Sequence, residues 1–276
     1  MLKPMIRMIS NLVEKPWPKG KWIQDRYEII SLLGSGSYGH SYLVYDRLKN
    51  TRAVLKALRW HKRITKKGKN SFTEEMDLLK SLNHPSFPAF FESGSFAGIP
   101  YFTMEFIDGK TFEQLIFHEG KKYGELESFI IGYKLLEILS DIQQAGIVHR
   151  DIRIPNIMWD GNRVRVIDLG LAKRITPADE GRKKGVDHPR KQLDFKSDYY
   201  GLGHFLLFLL YSSYIPPADG KEKSWEEELP ISRQGKKIIR KLLQIDSPYE
   251  SCNQVKHDFE NMIEKIGGRV NENVII

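Results

Sequence analysis

The stretch HRDIRIPNIMWDGNRVRVIDLG, residues 149–170, decides how the rest of the chain is read. It places Asp151 five residues before Asn156, and Asp168 twelve residues after Asn156. Residues 157–159 and 164–167 have the look of two short strands, with a turn at Asp160-Gly161. A hairpin of that size folds its ends together, so Asp151, Asn156 and Asp168 converge in one small volume. A hard divalent cation such as Mg²⁺ takes oxygen ligands, commonly one or two protein groups plus phosphate oxygens. Asn156 and Asp168 suit that task, which leaves Asp151 to face an incoming hydroxyl. The competing explanation is two loops that happen to carry Asp and Asn.

Upstream, residues 29–33 are strand-like and run into Gly34-Ser35-Gly36-Ser37-Tyr38-Gly39, and residues 42–45 return. In a dinucleotide-binding fold the glycines of G-x-G-x-x-G open a helix. Nothing helical follows Gly39. Without a Cβ, backbone amides come close to phosphate oxygens and adopt unusual φ angles. Beyond a turn at Lys49-Asn50, Ala53-Val54-Leu55-Lys56 begins another strand. Residues 71–82 then show a helical period, with Phe72, Met76, Leu79 and Leu82 on one side. Between strand and helix, residues 61–70 hold Lys62, Arg63, Lys66, Lys67 and Lys69, a charge run expected to form a solvated loop.

These residues together resemble the protein kinase family. His149-Arg150-Asp151 with Asn156 fits H-R-D-L-x-x-x-N, and Asp168-Leu169-Gly170 fits D-F-G with Leu for Phe. Residues 53–56 fit V-A-I-K with Lys56 at the lysine position, and the glycine turn fits the flap over ATP phosphates. The likeness runs from about residue 27 to about residue 266 and looks most like small bacterial serine/threonine kinases of the bacillus type.

The resemblance implies an α+β, two-lobed fold with a small β-rich N-lobe carrying one helix and a larger helical C-lobe. A basic N-terminal extension would occupy 1–26, the N-lobe 27–104, the hinge 105–110, and a C-lobe with a shortened activation segment 111–276. ATP and Mg²⁺ are the implied cofactors. Gly34, Gly36 and Gly39 would cover the phosphates, and Lys56 would pair with them and with Glu75, favoured over Glu74 by its spacing to Pro85. Val54, Met104 and Met158 would line the nucleotide site, and the backbone of Glu105 and Ile107 would bond the adenine. Asp151 would orient the substrate hydroxyl and accept its proton, Arg153 would meet the γ-phosphate, and Asn156 and Asp168 would hold the metal. Asp198 would hold the catalytic-loop backbone.

Several positions depart from the family pattern. Ser41 and Val54 exchange the small and larger residues expected over the adenine, and Arg153 stands for a lysine. No A-P-E follows Asp168, and Glu250 stands where an arginine is expected, so Arg190 and Glu250 read either as a sign-exchanged pair or, preferred, as unrelated surface residues. Between Leu171 and Lys196 the only hydroxyl side chain is Thr176, so activation without loop phosphorylation is expected. Asp179, Glu180 or Asp187 would then offer Arg150 a permanent negative charge. Three function classes follow: a serine/threonine kinase acting on proteins, a small-molecule kinase, and a nucleotide-binding scaffold without transfer.

Composition bounds the rest. With 41% hydrophobic and 28% charged residues, the chain has the make-up of an ordinary globular protein. Its longest apolar run, residues 205–211, is too short to span a bilayer, and no signal peptide is apparent. Cys252 is the single cysteine, so an internal disulfide is impossible and a reducing, cytoplasmic location is expected. A net charge of +8 admits nucleic acid, an anionic membrane or acidic substrates as partners. Basic residues are not interleaved with aromatics as a base-stacking platform requires, so nucleic acid is set aside. Residues 1–26 read either as a membrane-surface or partner-docking tail or, preferred, as a segment packed back on the domain through Trp17 and Trp22.

Overall fold

A computed structural model describes residues 14–36, 39–176, 188–189, 192–216 and 223–267. The chain divides into two units, Met1–Asp108 and Gly109–Ile276. In the first, six antiparallel strands lie in the order β1-β2-β3-β4-β6-β5. They are β1 (Trp22–Ile23), β2 (Tyr27–Ser35), β3 (Gly39–Asp46), β4 (Thr51–Leu58), β5 (Phe90–Phe96) and β6 (Ile99–Glu105). From Ala53 onward every residue of β4 is buried, because this strand is covered on both faces. Ala53, Leu55 and Ala57 join one core with Tyr27, Val44 and Tyr101. Strand alternation sends Val54 and Lys56 to the other face. On that face Phe102, opposite Lys56, meets Phe72 of the helix α2 (Lys66–Ser81) with ring centroids 5.1 Å apart.

Residues 14–26 do not stand apart but pack on the first unit, as preferred from Trp17 and Trp22: Trp22 and Ile23 pair with Glu28 and Tyr27, and Trp17 stacks on Tyr42 at 5.3 Å. Arg47 also covers the ring of Trp22. A two-residue strand carries no readable alternation, so only the tryptophans signalled this packing. The amphipathic reading of the tail falls on residues 1–13, which lie outside the described residues. Residues 61–70 are not a loop. A short turn of helix, α1 (Trp60–Arg63), precedes α2, which begins at Lys66. The Thr65 hydroxyl caps α2 by accepting from the Gly68 N–H at 3.0 Å. Lysines are good helix formers, so a charge run after a threonine cap becomes the first turn of the helix.

The second unit is mainly helical. Its described elements are β7 (Lys110–Thr111), α3 (Phe112–Phe117), α4 (Glu125–Gln144), β8 (Ile147–Val148), β9 (Ile157–Trp159), β10 (Val164–Val166), β11 (Lys173–Arg174), α5 (Lys196–Tyr211), α6 (Trp225–Glu228), α7 (Arg233–Leu242) and α8 (Cys252–Gly267). The core forms where α4, α5 and α8 present their apolar faces. Phe129 meets Phe259 at 5.2 Å, and Phe112 meets Phe205 edge-on at 5.2 Å. Glu125, in the first turn of α4, accepts from the Ser232 N–H and hydroxyl and so ties α4 to the cap of α7. The hairpin read from residues 149–170 is present, with Trp159 opposite Val164 and Ile157 opposite Val166. Thr111 of β7 pairs with Met158 to make this a three-stranded sheet. Among the described residues no helix is long and apolar enough to cross a membrane.

Candidate active site

Each unit carries its own set of chemically active groups. In the first, Lys56 Nζ lies 2.5 Å from Glu75 Oε1, with both side chains buried. The register of β4 and the phase of α2 bring them together. Glu75 faces the sheet, while Glu74 is exposed on the helix. Val54 and Met104 are directly opposed on β4 and β6, so both occupy the Lys56 face. The Glu105 N–H donates to the Ala89 carbonyl at 2.8 Å, so a ligand on the backbone of Glu105 must use its carbonyl. Ile107 is buried, whereas Gly34 and Gly36 are exposed.

The glycine turn closes through a Gly36 N–H bond to the Gly39 carbonyl at 2.9 Å, and Ser35 pairs with His40 across it. An added Cβ at Gly39 would sit 2.9 Å from the Ala57 carbonyl and 3.3 Å from Lys56 Cγ. Glycine there lets β3 and β4 approach at the point where Lys56 is placed.

In the second unit the loop after β8 is pinned from below. Asp198, fully buried on α5, accepts from the His149 N–H at 2.9 Å and the Arg150 N–H at 2.7 Å. Arg150 takes a φ of +66°, a left-handed conformation that few side chains adopt and that these bonds hold in place. Helix α5 comes this close because Gly201 has no side chain: a Cβ there would lie 2.8 Å from that of Ile152. Burial raises the Asp198 carboxyl to about 7, with the two backbone donors pulling the other way. Burial lowers the His149 imidazole to about 4. His149 is therefore neutral at pH 7, and its Nδ1 accepts from the Asp151 N–H at 3.2 Å.

Those bonds fix Asp151. Asn156 Nδ2 donates to its carboxylate at 2.8 Å and to its backbone carbonyl at 3.0 Å. Arg153 Nε lies 2.9 Å from Asp151 Oδ1, with half of its side chain in solvent. Asp168 Oδ1 accepts from the Gly170 N–H at 2.8 Å, and the Ile167 N–H donates to the Asn156 carbonyl at 3.0 Å. That last bond brings the backbones before Asp168 and at Asn156 together. Met158 is buried on β9.

The donor set fits a hard cation and polyphosphate. Both hydrogen bonds of the Asn156 side chain use its nitrogen, which leaves Oδ1 as the amide's hard ligand. Among the described residues no cluster of three or more His, Cys, Asp or Glu could hold a metal by itself. A metal bound here would need ligands from a substrate as well.

Sequence reasoning did not single out His149 as the orienter of Asp151, nor Arg59 and Glu14 beside the glycine turn. The His149 role was signalled only by its place in the H-R-D triplet. Glu14 and Arg59 stand 45 residues apart and belong to no motif. Asp179, Glu180, Asp187 and Arg190 lie outside the described residues. Glu250 bonds Lys196 at 2.6 Å.

A buried lysine–glutamate pair beside a glycine turn in one unit, and an H-R-D loop with its Asn and a following Asp-Leu-Gly in the other, define a class of enzyme. The chain belongs to the protein kinase family: residues 27–269 match the protein kinase domain. It is 36% identical over 265 residues to the probable serine/threonine-protein kinase YbdM of Bacillus subtilis, covering 95% of this chain and 99% of that one. Serine/threonine-protein kinase PrkC of the same species is 29% identical over 209 residues, which are 71% of this chain and 32% of PrkC. The fold is also that of the Mycobacterium tuberculosis PknI kinase domain, with a TM-score of 0.66, 20% identity, and 90% and 99% of the two chains covered.

Proposed function

We propose that the chain transfers the γ-phosphoryl group of ATP to serine or threonine hydroxyls of proteins, with Mg²⁺ as cofactor. The observation that carries this is the fixed orientation of Asp151. Asn156 and Arg153 contact its carboxylate, His149 accepts from its N–H, and Asp198 holds the backbone of the two residues before it. A carboxylate held this way can orient a hydroxyl and accept its proton without reorganising.

Lys56, oriented by Glu75, supplies positive charge to the nucleotide phosphates, and Arg153 supplies it beside Asp151. Asn156 and Asp168 are the residues that would hold the metal. When bound, Mg²⁺ neutralises charge on the phosphate oxygens. Gly34, Gly36 and Gly39 form the turn that would cover the phosphates, while Val54, Met104 and Met158 offer apolar surface to the base. Phosphoryl transfer asks chiefly for positioning and charge neutralisation, and these residues provide both.

Incubation with labelled ATP, Mg²⁺ and a generic protein acceptor tests the reading. Labelled phosphoserine or phosphothreonine is expected, and Asp168→Asn should abolish it. Label confined to small acceptors would instead support a small-molecule kinase, and binding without transfer a scaffold.

A further inference from the structure

Glu14, at the start of the described segment before β1, joins a charge cluster beside the glycine turn. Glu14 Oε1 accepts from the Trp60 N–H at 2.8 Å and lies 3.6 Å from Arg63. Its other oxygen, Oε2, is 3.5 Å from Arg59 Nε and 3.9 Å from His40 Nε2. Arg59 and His40 are almost wholly buried, at 4% and 5% exposure. Both reach the turn. Arg59 Nη1 donates to the Gly36 carbonyl at 3.4 Å, and His40 Nδ1 pairs with the Ser35 hydroxyl at 2.9 Å. His40 Nε2 is buried with no hydrogen-bond partner, and Glu14 is the carboxylate that faces it.

We propose that Glu14 is a positioning residue for the glycine turn, acting through Arg59 and His40. This rests on the reading in which that turn covers the nucleotide phosphates. The β2 arm of the turn meets the cluster at two adjacent residues, Ser35 through His40 and Gly36 through Arg59, and His40 itself stands on the β3 arm. One carboxylate beside both side chains therefore steadies the two arms. Without it, the buried Arg59 guanidinium would lose a carboxylate partner, and its hold on the Gly36 carbonyl would weaken.

Packing alone does not set the Glu14 position. A cavity of about 250 Å³ lies beside it, lined by Trp17, Tyr42 and Trp60 among others. Its placement comes instead from charge and from Trp17 three residues on. That tryptophan stacks on Tyr42 and donates its backbone N–H to the Tyr42 hydroxyl at 3.0 Å. Loss of the carboxylate charge should thus loosen the turn while leaving the sheet intact.

The test compares Glu14→Ala and Glu14→Gln with the unaltered chain. The KM for ATP should rise about tenfold in Glu14→Ala, the equivalent of one lost charged contact. The rise should be smaller in Glu14→Gln, which keeps the acceptor for Trp60, and kcat and the KM for the protein acceptor should stay within about twofold. Arg59→Lys should raise the KM for ATP as well, since a point charge cannot contact Glu14 and Gly36 at once. Hydrogen exchange over residues 34–40, without nucleotide, reads the same coupling independently of turnover. Faster exchange is expected in Glu14→Ala. Unchanged exchange, or a fall in kcat at constant KM, would overturn the proposal and leave Glu14 as a simple anchor. If the unaltered chain failed to transfer phosphate while exchange still responded to Glu14, the kinase reading would fail and the coupling would stand. Should Glu14→Ala not fold, Glu14→Gln carries the same comparison.

Discussion

The two units bury charge in opposite ways. In the first, Lys56 and Glu75 neutralise one another across a strand and a helix, and each loses its hydration to gain a partner of opposite sign. In the second, the carboxyl of Asp198 is wholly buried and meets the backbone N–H groups of His149 and Arg150, while His149 beside it sheds its charge altogether. An ion pair fixes one element against another and can be undone from either end. A carboxyl held by amides fixes the path of a backbone, and nothing at the other end can be mutated away. The first arrangement sets where α2 stands relative to β4, and the second holds a strained loop in one conformation.

The largest expected effect is on the ion pair. Lys56→Met should lower phosphoryl transfer by at least about 10²–10³-fold, the cost of removing one preorganised charge contact. It also leaves Glu75 buried without its cation, which should destabilise the chain by about 3–5 kcal/mol. Adding Glu75→Leu should restore most of that stability and none of the activity. Urea unfolding and a transfer assay on the single and double variants check both halves. Activity returning with stability would mean that the pair serves only the fold.

The groups of this comparison differed in legibility. Asp151, Asn156 and Asp168 were readable because a short hairpin, with Trp159 opposite Val164 around residues 160–163, draws its ends together. Lys56 and Glu75 were readable only through the family pattern, Lys56 from V-A-I-K and Glu75 from its spacing to Pro85, because β4 is buried at every position from Ala53 and shows no alternation. Asp198 was placed by resemblance, but its 2.7–2.9 Å bonds to a loop nearly fifty residues earlier have no local signature. The start of α2 was missed because a run of lysines reads equally as loop or helix until its Thr65 cap is recognised. Strands of two residues, β1, β7, β8 and β11, are too short for alternation to show.

The amide-held carboxyl should yield a smaller and pH-dependent effect. Asp198→Asn keeps the shape but turns an amide NH₂ toward one of two buried N–H donors. The cost at pH 7 should be about 1–3 kcal/mol. Asp198 titrates near 7 in the folded chain against 3.8 as its ordinary value. As pH falls through that window, the folded state takes up a proton that the unfolded state has not yet bound, so the unaltered chain gains stability. The deficit of Asp198→Asn should therefore widen between pH 7 and about 4. His149 acts in the opposite sense: its folded value of about 4 against 6.5 makes the folded state lose stability as pH falls between them. The two slopes offset each other in the unaltered chain, and Asp198→Asn leaves that of His149 uncovered. Urea unfolding at a series of pH values shows the effect, and a deficit independent of pH would refute it.

The smallest effect is expected at Glu250, which occupies the place of an arginine in the family pattern. Its carboxylate meets Lys196 Nζ at 2.6 Å, with Glu250 itself two-thirds exposed. Lys196 opens α5, where the helix dipole disfavours a cation, so Glu250 offsets an unfavourable charge at that end. Solvent screens the pair, and holding two flexible side chains in one geometry costs entropy. Together these leave a coupling of about 0–1 kcal/mol. A double-mutant cycle on Lys196→Ala and Glu250→Ala reads it directly, and added salt should shrink it further. A coupling of about 3 kcal/mol or more would place Glu250 among buried pairs. In that case the exchanged clamp with Arg190 becomes the next cycle to run, and charge on this face would be handled as it is between Lys56 and Glu75.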